Sequence, residues 1–225
     1  DPAPLLAYCV QPVSHPIGAA RGVSLISPDI IVLRFPGRRL PPALAGLPCR
    51  EADGAAAIDD AVRDASRVVI AGSEAELAGV LTRLLRTEHL DVEVAHVPGR
   101  RGARRAVRGG AVRVPLIRDD TATVLLGAAL WLPPAGSAQI RGEAVVDDAV
   151  LFDGAVDAVR IEPTMALPGL RATVSTGRLP RRWLAGRAVQ LGTTGARVVR
   201  DGVEGPRAVT RSTFYRHTTG WLRVG

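Results

Sequence analysis

Three short segments carry residue types that could bind or transfer a phosphate. Residues 72–76, with the sequence GSEAE, combine a glycine and a serine with two carboxylates directly after an apolar run. Residues 99–110 (GRRGARRAVRGG) hold five arginines, and residues 201–204 (DGVE) hold two carboxylates beside a glycine. Glycine lets backbone N–H groups approach an anion, the arginine fork binds phosphate oxygens, and a positioned carboxylate transfers protons. These segments are therefore the first candidates for a functional site.

Strands and helices alternate in the part of the chain that must position the first two segments. Apolar runs predict strands over residues 29–35, 67–71 and 90–97, and apolar residues at helical spacing predict helices over residues 54–65 and 74–86. Such alternation favours a parallel sheet with helices on both faces. The glycine-serine segment follows the second strand of this sheet, and the arginine segment follows the third.

Beyond residue 110 the pattern changes to many short β-rich runs separated by Gly, Pro and Asp, which favours an antiparallel β-sandwich. The runs cover residues 112–117, 123–131, 145–152, 156–161, 170–174, 187–191, 197–200, 212–215 and 221–224. We therefore predict an α/β domain over residues 1–110 and a β-sandwich domain over residues 111–225. For the last segment of the second domain, packing against the first domain is a further expectation.

Composition limits the classes of protein that the chain can be. Of its 225 residues, 47% are hydrophobic, so burial can offset the entropy of folding. The net charge is +7, and all the basic residues are arginine; the lack of Lys and Asn is typical of a genome rich in G and C. The charge favours acidic partners such as nucleotides or anionic lipid surfaces, so peripheral membrane contact is possible.

Other classes receive little support. The arginine segment contains no aromatic residue, so nucleic-acid binding is not indicated. Four histidines and two cysteines show no metal-ligand spacing, and no metal site is predicted. The longest uncharged run, residues 121–140, is interrupted by Pro133 and Pro134, which fits two strands around a turn better than a membrane span. We expect a soluble, cytoplasmic protein.

Two stretches carry a family resemblance. The first is VVIAGSEAELAGVLTRLL, residues 68–85, and the second is GRAVQLGTTGARVVRDGVEGPRAVTRSTFYRHTTGWLRVG, residues 186–225. Both resemble the diacylglycerol kinase family, which includes bacterial lipid kinases and sphingosine kinases and is distantly related to NAD kinases. The resemblance implies an α/β domain and a β-sandwich domain with a cleft between them. It also implies that a glycine-rich turn cradles the phosphates of ATP, while Mg²⁺ and a carboxylate assist transfer to a lipid hydroxyl.

The glycine-rich turn departs from the family pattern. Gly72 matches the first glycine of the family's Gly-Gly-Asp-Gly-Thr, and Ser73, Glu74, Ala75 and Glu76 replace the four residues that follow. The resemblance makes Gly72, Ser73, Ala75 and Glu76 the cofactor-binding candidates and Glu74 a surviving catalytic carboxylate. Glu76 would repel a nucleotide phosphate and itself satisfy the helix dipole. The alternative is therefore an ordinary acidic helix start.

The other two segments also depart from the family. After the third strand, Val-Pro-Gly-Arg-Arg-Gly (residues 97–102) replaces the family's Leu-Gly-Thr-Gly-Asn-Asp. Gly99, Arg100 and Arg101 of this segment, together with Arg104, Arg105 and Arg108, are candidates for a new anion site at the cleft, and the alternative is a solvated, flexible loop. In DGVE, Asp201 is the candidate general base, although Val203 stands where the family has a glutamate. The alternative is a plain Asp-Gly hairpin turn.

Three functions follow as hypotheses. The first is a divergent, catalytically impaired protein, a pseudokinase, that binds a nucleotide, a phosphometabolite or a lipid in the interdomain cleft. The second is an active ATP-dependent lipid kinase with ATP and Mg²⁺ as cofactors. The third is a structural or protein-interaction module in which side chains fill the cleft and apolar sandwich faces form a homodimer.

Overall fold

The structure is a computed structural model that describes residues 29–63, 65–175 and 182–225. The predictions for the first 28 residues lie outside this range. The described part consists of a helix-covered sheet and a larger antiparallel sheet.

Six strands form the first sheet, in the order β2-β1-β3-β4-β17-β5. They are β1 (Ile30–Arg34), β2 (Cys49–Glu51), β3 (Arg67–Ala71), β4 (Glu93–His96), β5 (Ala111–Val114) and β17 (Trp221–Val224). The helices are α1 (Ala55–Arg63), α2 (Glu74–Arg86) and α3 (Ala103–Arg108), and a short 3-10 turn covers Pro42–Leu44. All neighbouring strands run parallel except β5, which is antiparallel to β17.

Strand β3 is buried along its whole length because helices cover both faces of the sheet. Its residues Val68 and Ile70 belong to the core that contains α1 and α2. Val69 and Ala71 point to the opposite core, which contains α3 and the 3-10 turn. Side chains that alternate between two apolar layers explain why this strand is a continuous apolar run in the sequence.

The local predictions for this sheet are confirmed, with one exception. The structure has the predicted strand over Arg67–Ala71 and the predicted helix over Glu74–Arg86 with the same bounds, and β1, α1 and β4 fall inside their predicted ranges. The alternative of a flexible loop is wrong for residues 103–108, which form the helix α3, whereas residues 97–102 have neither helix nor strand. Two buried alanines, Ala103 and Ala106, hold that helix on the sheet, which is too weak an apolar pattern to predict it.

Eleven strands form the second sheet. They are β6 (Ile117–Asp119), β7 (Val124–Leu125), β8 (Ala129–Leu132), β9 (Ile140–Val146), β10 (Ala149–Val156), β11 (Ala158–Pro163), β12 (Leu170–Ser175), β13 (Leu184–Gly186), β14 (Ala188–Arg200), β15 (Val203–Glu204) and β16 (Val209–Arg216). The predicted single run at residues 145–152 is a hairpin with Asp147 at positive φ in its turn, and the separate runs at 187–191 and 197–200 are one strand.

The long strand β14 joins two halves of the antiparallel sheet into a sandwich. Its first part pairs with β9 and its last part pairs with β8, and the register shifts between Gly192 and Ala196. Apolar side chains from both halves form one core around Trp131 and Phe214, whose ring centres are 6.2 Å apart. The predicted combination of an α/β domain and an antiparallel β-sandwich is therefore confirmed.

The chain crosses between the two layers twice. It leaves the helix-covered sheet after β5, forms the sandwich, and returns as β17 between β4 and β5. Among the described helices, none combines the length and the apolar character needed to cross a membrane.

Candidate functional site

The loops that follow β1, β3 and β4 meet at the carboxyl edge of the parallel sheet. They enclose a cavity of about 210 Å³ whose lining includes Arg38, Arg39, Gly72, Gly99 and Arg100. Parallel sheets bind ligands at this edge because the strand ends and helix N-termini converge there. The structure therefore brings three predicted binding residues together with two arginines, Arg38 and Arg39, that the sequence interpretation missed. A positional signal for them existed, since both follow the Pro-Gly turn at the end of β1.

Ser73 and Glu76 form a complete capping box at the start of α2. The Ser73 hydroxyl accepts the backbone N–H of Glu76, and the Glu76 carboxylate accepts both the backbone N–H and the hydroxyl of Ser73. The arrangement satisfies N–H groups that a helix start leaves without partners. The same N–H groups are the ones that would otherwise be offered to a phosphate.

The Glu76 carboxylate also fills the space beside Gly72. A Cβ atom placed on Gly72 would lie 2.5 Å from Oε2 of Glu76. Glycine has no side chain and so leaves room for another group next to its backbone. At Gly72 that room is occupied by the Glu76 carboxylate of the protein itself. The Gly72 carbonyl oxygen is 2.9 Å from Nε2 of His96, so β4 fixes this turn from the other side.

Electrostatics keep Glu76 ionised. Partial burial favours its neutral form, but hydrogen bonds from Ser73 and the charge of Arg38 outweigh this effect, and the pKa of Glu76 lies below its ordinary value. The Arg38 guanidinium is 3.4 Å from the carboxylate. The pair brings a negative charge to the edge of a cavity that is otherwise basic, and part of the positive charge of Arg38 is already compensated.

Arg67 positions the arginine segment although it was not singled out from the sequence. This residue is 6% exposed, pairs with Glu93, and donates hydrogen bonds to the carbonyls of Ala106, Val107 and Gly109. A buried guanidinium needs such partners, and the last carbonyls of a helix need donors. One side chain thus ties the end of α3 to the sheet, and the only sequence signal is a charge at the start of a buried strand.

A second cavity, of about 520 Å³, lies between the helix-covered sheet and the sandwich. Most of its lining is apolar and comes from both layers, with Leu77, Leu125, Met165 and Trp221 among the contributors. Glu74, the first residue of α2, also lines it. Pro98 borders both this cleft and the smaller arginine-lined cavity, so the two spaces adjoin.

Asp201 lies in a different place from Glu74. Its carboxylate accepts hydrogen bonds from the backbone N–H groups of Leu126, Gly127 and Ala128, at 2.8–3.1 Å. Asp201 and Gly202 both have positive φ, as the predicted Asp-Gly turn between β14 and β15 requires. Asp201 lines a third cavity, of about 1000 Å³, on the other side of α2.

The predicted site residues therefore divide into groups. Gly72, Gly99 and Arg100 share the arginine-lined cavity, and the Ser73–Glu76 cap stands at its edge. Glu74 lines the cleft, whereas Ala75 and Asp201 line the third cavity. Arg101 is exposed and lines none of the three. The two carboxylates predicted to act together do not share a cavity, and their catalytic roles stay predictions.

Comparisons with known proteins rest on structure. No protein-family model and no curated protein sequence matches the chain. A proposed diacylglycerol kinase from Bacillus anthracis str. Sterne superposes with a TM-score of 0.69 at 9% identity, over 88% of this chain and 96% of that one. An NAD kinase from Archaeoglobus fulgidus, solved with ATP, gives 0.60 at 13% identity, over 87% and 92% of the two chains.

Yeast NADH kinase, solved with NADH, gives a TM-score of 0.58 at 7% identity, over 89% of this chain and 84% of that one. These likenesses extend over nearly the whole chain and include both layers. The resemblance inferred from the two sequence stretches is thus confirmed for the fold, and this chain has the two-domain fold of the diacylglycerol and NAD kinases.

Proposed function

We propose that this protein binds a phosphate-bearing ligand in the cleft between its two layers and is impaired in phosphoryl transfer from ATP. The ligand belongs to one of three classes: a nucleotide, a phosphorylated metabolite or an anionic lipid. The single observation that carries the proposal is the Glu76 carboxylate seated on the N–H of Ser73 and against Gly72. It occupies the donors and the space through which the related kinases are expected to hold ATP phosphates.

The distribution of carboxylates supports the loss of catalysis. Glu74 faces the cleft alone, Glu76 is engaged by Ser73 and Arg38, and Asp201 is held by three backbone N–H groups at another cavity. Across residues 29–63, 65–175 and 182–225, no three His, Cys, Asp or Glu side chains cluster closely enough to hold a metal ion. Mg²⁺ bound to a nucleotide is held by one or two carboxylates together with the phosphates, and Glu74 is the carboxylate that lines this cleft.

The two adjoining cavities support a binding role. The cleft offers an apolar volume of the size that ligand sites have. The neighbouring cavity offers Arg39 and Arg100, which form no ion pair with any carboxylate in the described part of the chain. A ligand with an apolar or planar body and an anionic group would use both spaces across Pro98. The third hypothesis, a cleft filled by side chains, is not favoured by an open volume of about 520 Å³.

Calorimetric titration tests the proposal with three probes: ATP with Mg²⁺, pyrophosphate, and dioctanoyl phosphatidic acid. We expect saturable binding of at least one probe, weakened roughly tenfold by Arg100→Gln because one charged hydrogen-bond partner is lost. The matched control is Arg50→Gln, which removes an exposed arginine of β2 that lines neither cavity. Gly72→Val should also weaken binding, since its side chain would displace the Glu76 carboxylate into the site.

Phosphoryl transfer is measured in parallel with labelled ATP and dioctanoylglycerol. We expect no product above the level without protein. Efficient formation of phosphatidic acid would contradict the impairment and establish the active lipid kinase instead. Failure of all three probes to bind would contradict the ligand-binding part of the proposal.

A further inference from the structure

Arginines form a patch on and beside α3. Three of them, Arg104, Arg105 and Arg108, were predicted for an anion site at the cleft but line neither the cleft nor the arginine-lined cavity. Arg100, Arg104, Arg105 and Arg108 are exposed and surround Ala43 of the 3-10 turn, with which they line two shallow depressions. Within the described part of the chain, none of these four guanidiniums forms an ion pair, whereas arginines elsewhere, such as Arg83 and Arg171, pair with carboxylates. Unpaired like charges on one small surface repel one another and cost stability unless an external anion compensates them.

An apolar tip lies at the cleft. The loop between β11 and β12 exposes Met165 by 53% and Leu167 by 73%, which makes Leu167 one of the most exposed large apolar side chains described. Met165 and Pro98 line the same cleft, and Pro98 is two residues from Arg100. The Arg100 end of the patch and the apolar tip therefore lie near the same cleft.

From these two features we infer that this face of the protein docks on an anionic lipid bilayer. The arginine patch (Arg100, Arg104, Arg105 and Arg108) would contact lipid phosphates, and Leu167 would enter the boundary between headgroups and acyl chains. Both contributions are favourable at a membrane interface, where basic residues gain from the negative surface potential and apolar side chains gain from burial. Docking would place the mouth of the apolar cleft against the lipid.

A bilayer fits this face better than a nucleic acid does. The patch contains no aromatic side chain that could stack on bases. Its helix is six residues long, and its arginines surround Ala43. Such a surface can contact phosphates but has few side chains that could bind the edges of bases in a groove. The exposed Leu167 side chain would gain nothing from contact with a nucleic acid, whereas a bilayer would bury it at the boundary between headgroups and acyl chains.

The test is co-sedimentation of the full chain with vesicles of phosphatidylcholine, with and without phosphatidylglycerol, at low and moderate salt. We expect binding only to the vesicles with phosphatidylglycerol, weaker at moderate salt. The variant R104Q/R105Q/R108Q keeps good helix formers in α3 and should bind roughly 100-fold more weakly. Leu167→Ser should weaken binding roughly five- to tenfold, because less apolar surface is buried.

Two control variants test whether binding depends on this face or only on the total charge and apolar surface of the protein. R141Q/R207Q/R211Q removes the same charge from exposed positions of the sandwich, and Val150→Ser removes another exposed apolar side chain, from β10. Both should bind vesicles nearly as the parent does. A similar loss in the charge control would overturn the assignment to α3, and unchanged binding of Leu167→Ser would overturn the role of the tip.

The same proteins are titrated with a short duplex DNA and a short RNA. Binding of either that is tighter than vesicle binding and is lost in R104Q/R105Q/R108Q would overturn the membrane assignment in favour of a nucleic acid. Equal binding to vesicles with and without phosphatidylglycerol would also overturn it.

Discussion

Glu76 determines which groups the turn after β3 can offer to a ligand. Its carboxylate accepts the N–H and hydroxyl of Ser73, contacts the space beside Gly72, and pairs with Arg38. A phosphate at the same place would have to displace a negative charge that three groups already stabilise. The local chemistry of a helix cap and that of a phosphate site are thus mutually exclusive here.

Replacement of this cap should restore part of a phosphate site. For the variant Glu76→Thr with Ala75→Gly we expect ATP affinity to rise roughly tenfold or more, because a repulsive charge is removed and the Ser73 N–H and Arg38 become available. Calorimetric titration of ATP with Mg²⁺ measures the change. Glu143→Gln is the matched control, since it removes an exposed carboxylate of β9 that lines none of the three cavities. Unchanged affinity in the double variant would contradict the blocked-site interpretation.

The same carboxylate makes the stability of the fold depend on pH. Because the folded-state pKa of Glu76 lies below the ordinary value of 4.5, its ionised form stabilises the fold fully above that pH. The stabilisation is lost as the pH falls through the lowered folded-state value. We expect Glu76→Gln to be about 1 kcal/mol less stable at neutral pH, with a gap that closes in acid. Urea unfolding at a series of pH values measures it, and a constant gap would contradict the linkage.

At the scale of elements, α3 depends on a partner outside itself. A six-residue helix gains little from its own hydrogen bonds, and its buried apolar residues are two small alanines, Ala103 and Ala106. Arg67 supplies what is missing, because it donates to three carbonyls at the end of the helix and pairs with Glu93. The arginine segment is ordered by a residue of the sheet.

Removal of the Arg67 guanidinium should therefore destabilise the protein strongly. For Arg67→Met we expect a loss of about 3 kcal/mol, since a partly buried carboxylate and several carbonyls lose their partner. Urea unfolding gives the free energy, and hydrogen exchange should show the largest loss of protection in α3. The control Arg63→Met breaks the exposed pair with Asp60 and should cost less than about 1 kcal/mol. Equal losses in both variants would show that α3 does not depend on Arg67.

At the scale of the whole molecule, the two layers are tied together by β17. This strand leaves the sandwich and pairs in parallel with β4 and antiparallel with β5, so the helix-covered sheet is complete only when the chain has returned. Trp221 at its start is buried in the core of that sheet and also lines the cleft. The cleft therefore forms only after both layers have folded.

A fragment covering residues 29–114 tests this dependence. We expect it to remain largely unfolded, because β4 and β5 lose the strand that lies between them. In the structure Val114 pairs with Trp221, so an Asn-Gly turn can join residue 114 directly to residues 221–225. This linked fragment should show more dispersed amide signals and a cooperative transition. Equal order in both fragments would contradict the role of β17.

Local features of the fold and of the site followed from the sequence. The buried strand Arg67–Ala71, the helix Glu74–Arg86 and the turn at Asp201 are each determined by neighbours within a few residues. Hydrophobic periodicity, capping residues and Asp-Gly pairs act at this range. The alternative of an acidic helix start at Glu76 has the same origin, and the structure contains it as a capping box.

Only the tertiary structure decided which of these local features meet. It brings Arg38 and Arg39 to Gly72, separates Glu74 from Asp201, and inserts β17 between β4 and β5. Each of these arrangements joins residues far apart in the chain, and it depends on how layers pack rather than on a local period. The sequence by itself thus determined the strands, the helices and the chemistry at the ends of individual strands. The packing of two layers across a cleft decided which of those chemical groups can act on one ligand.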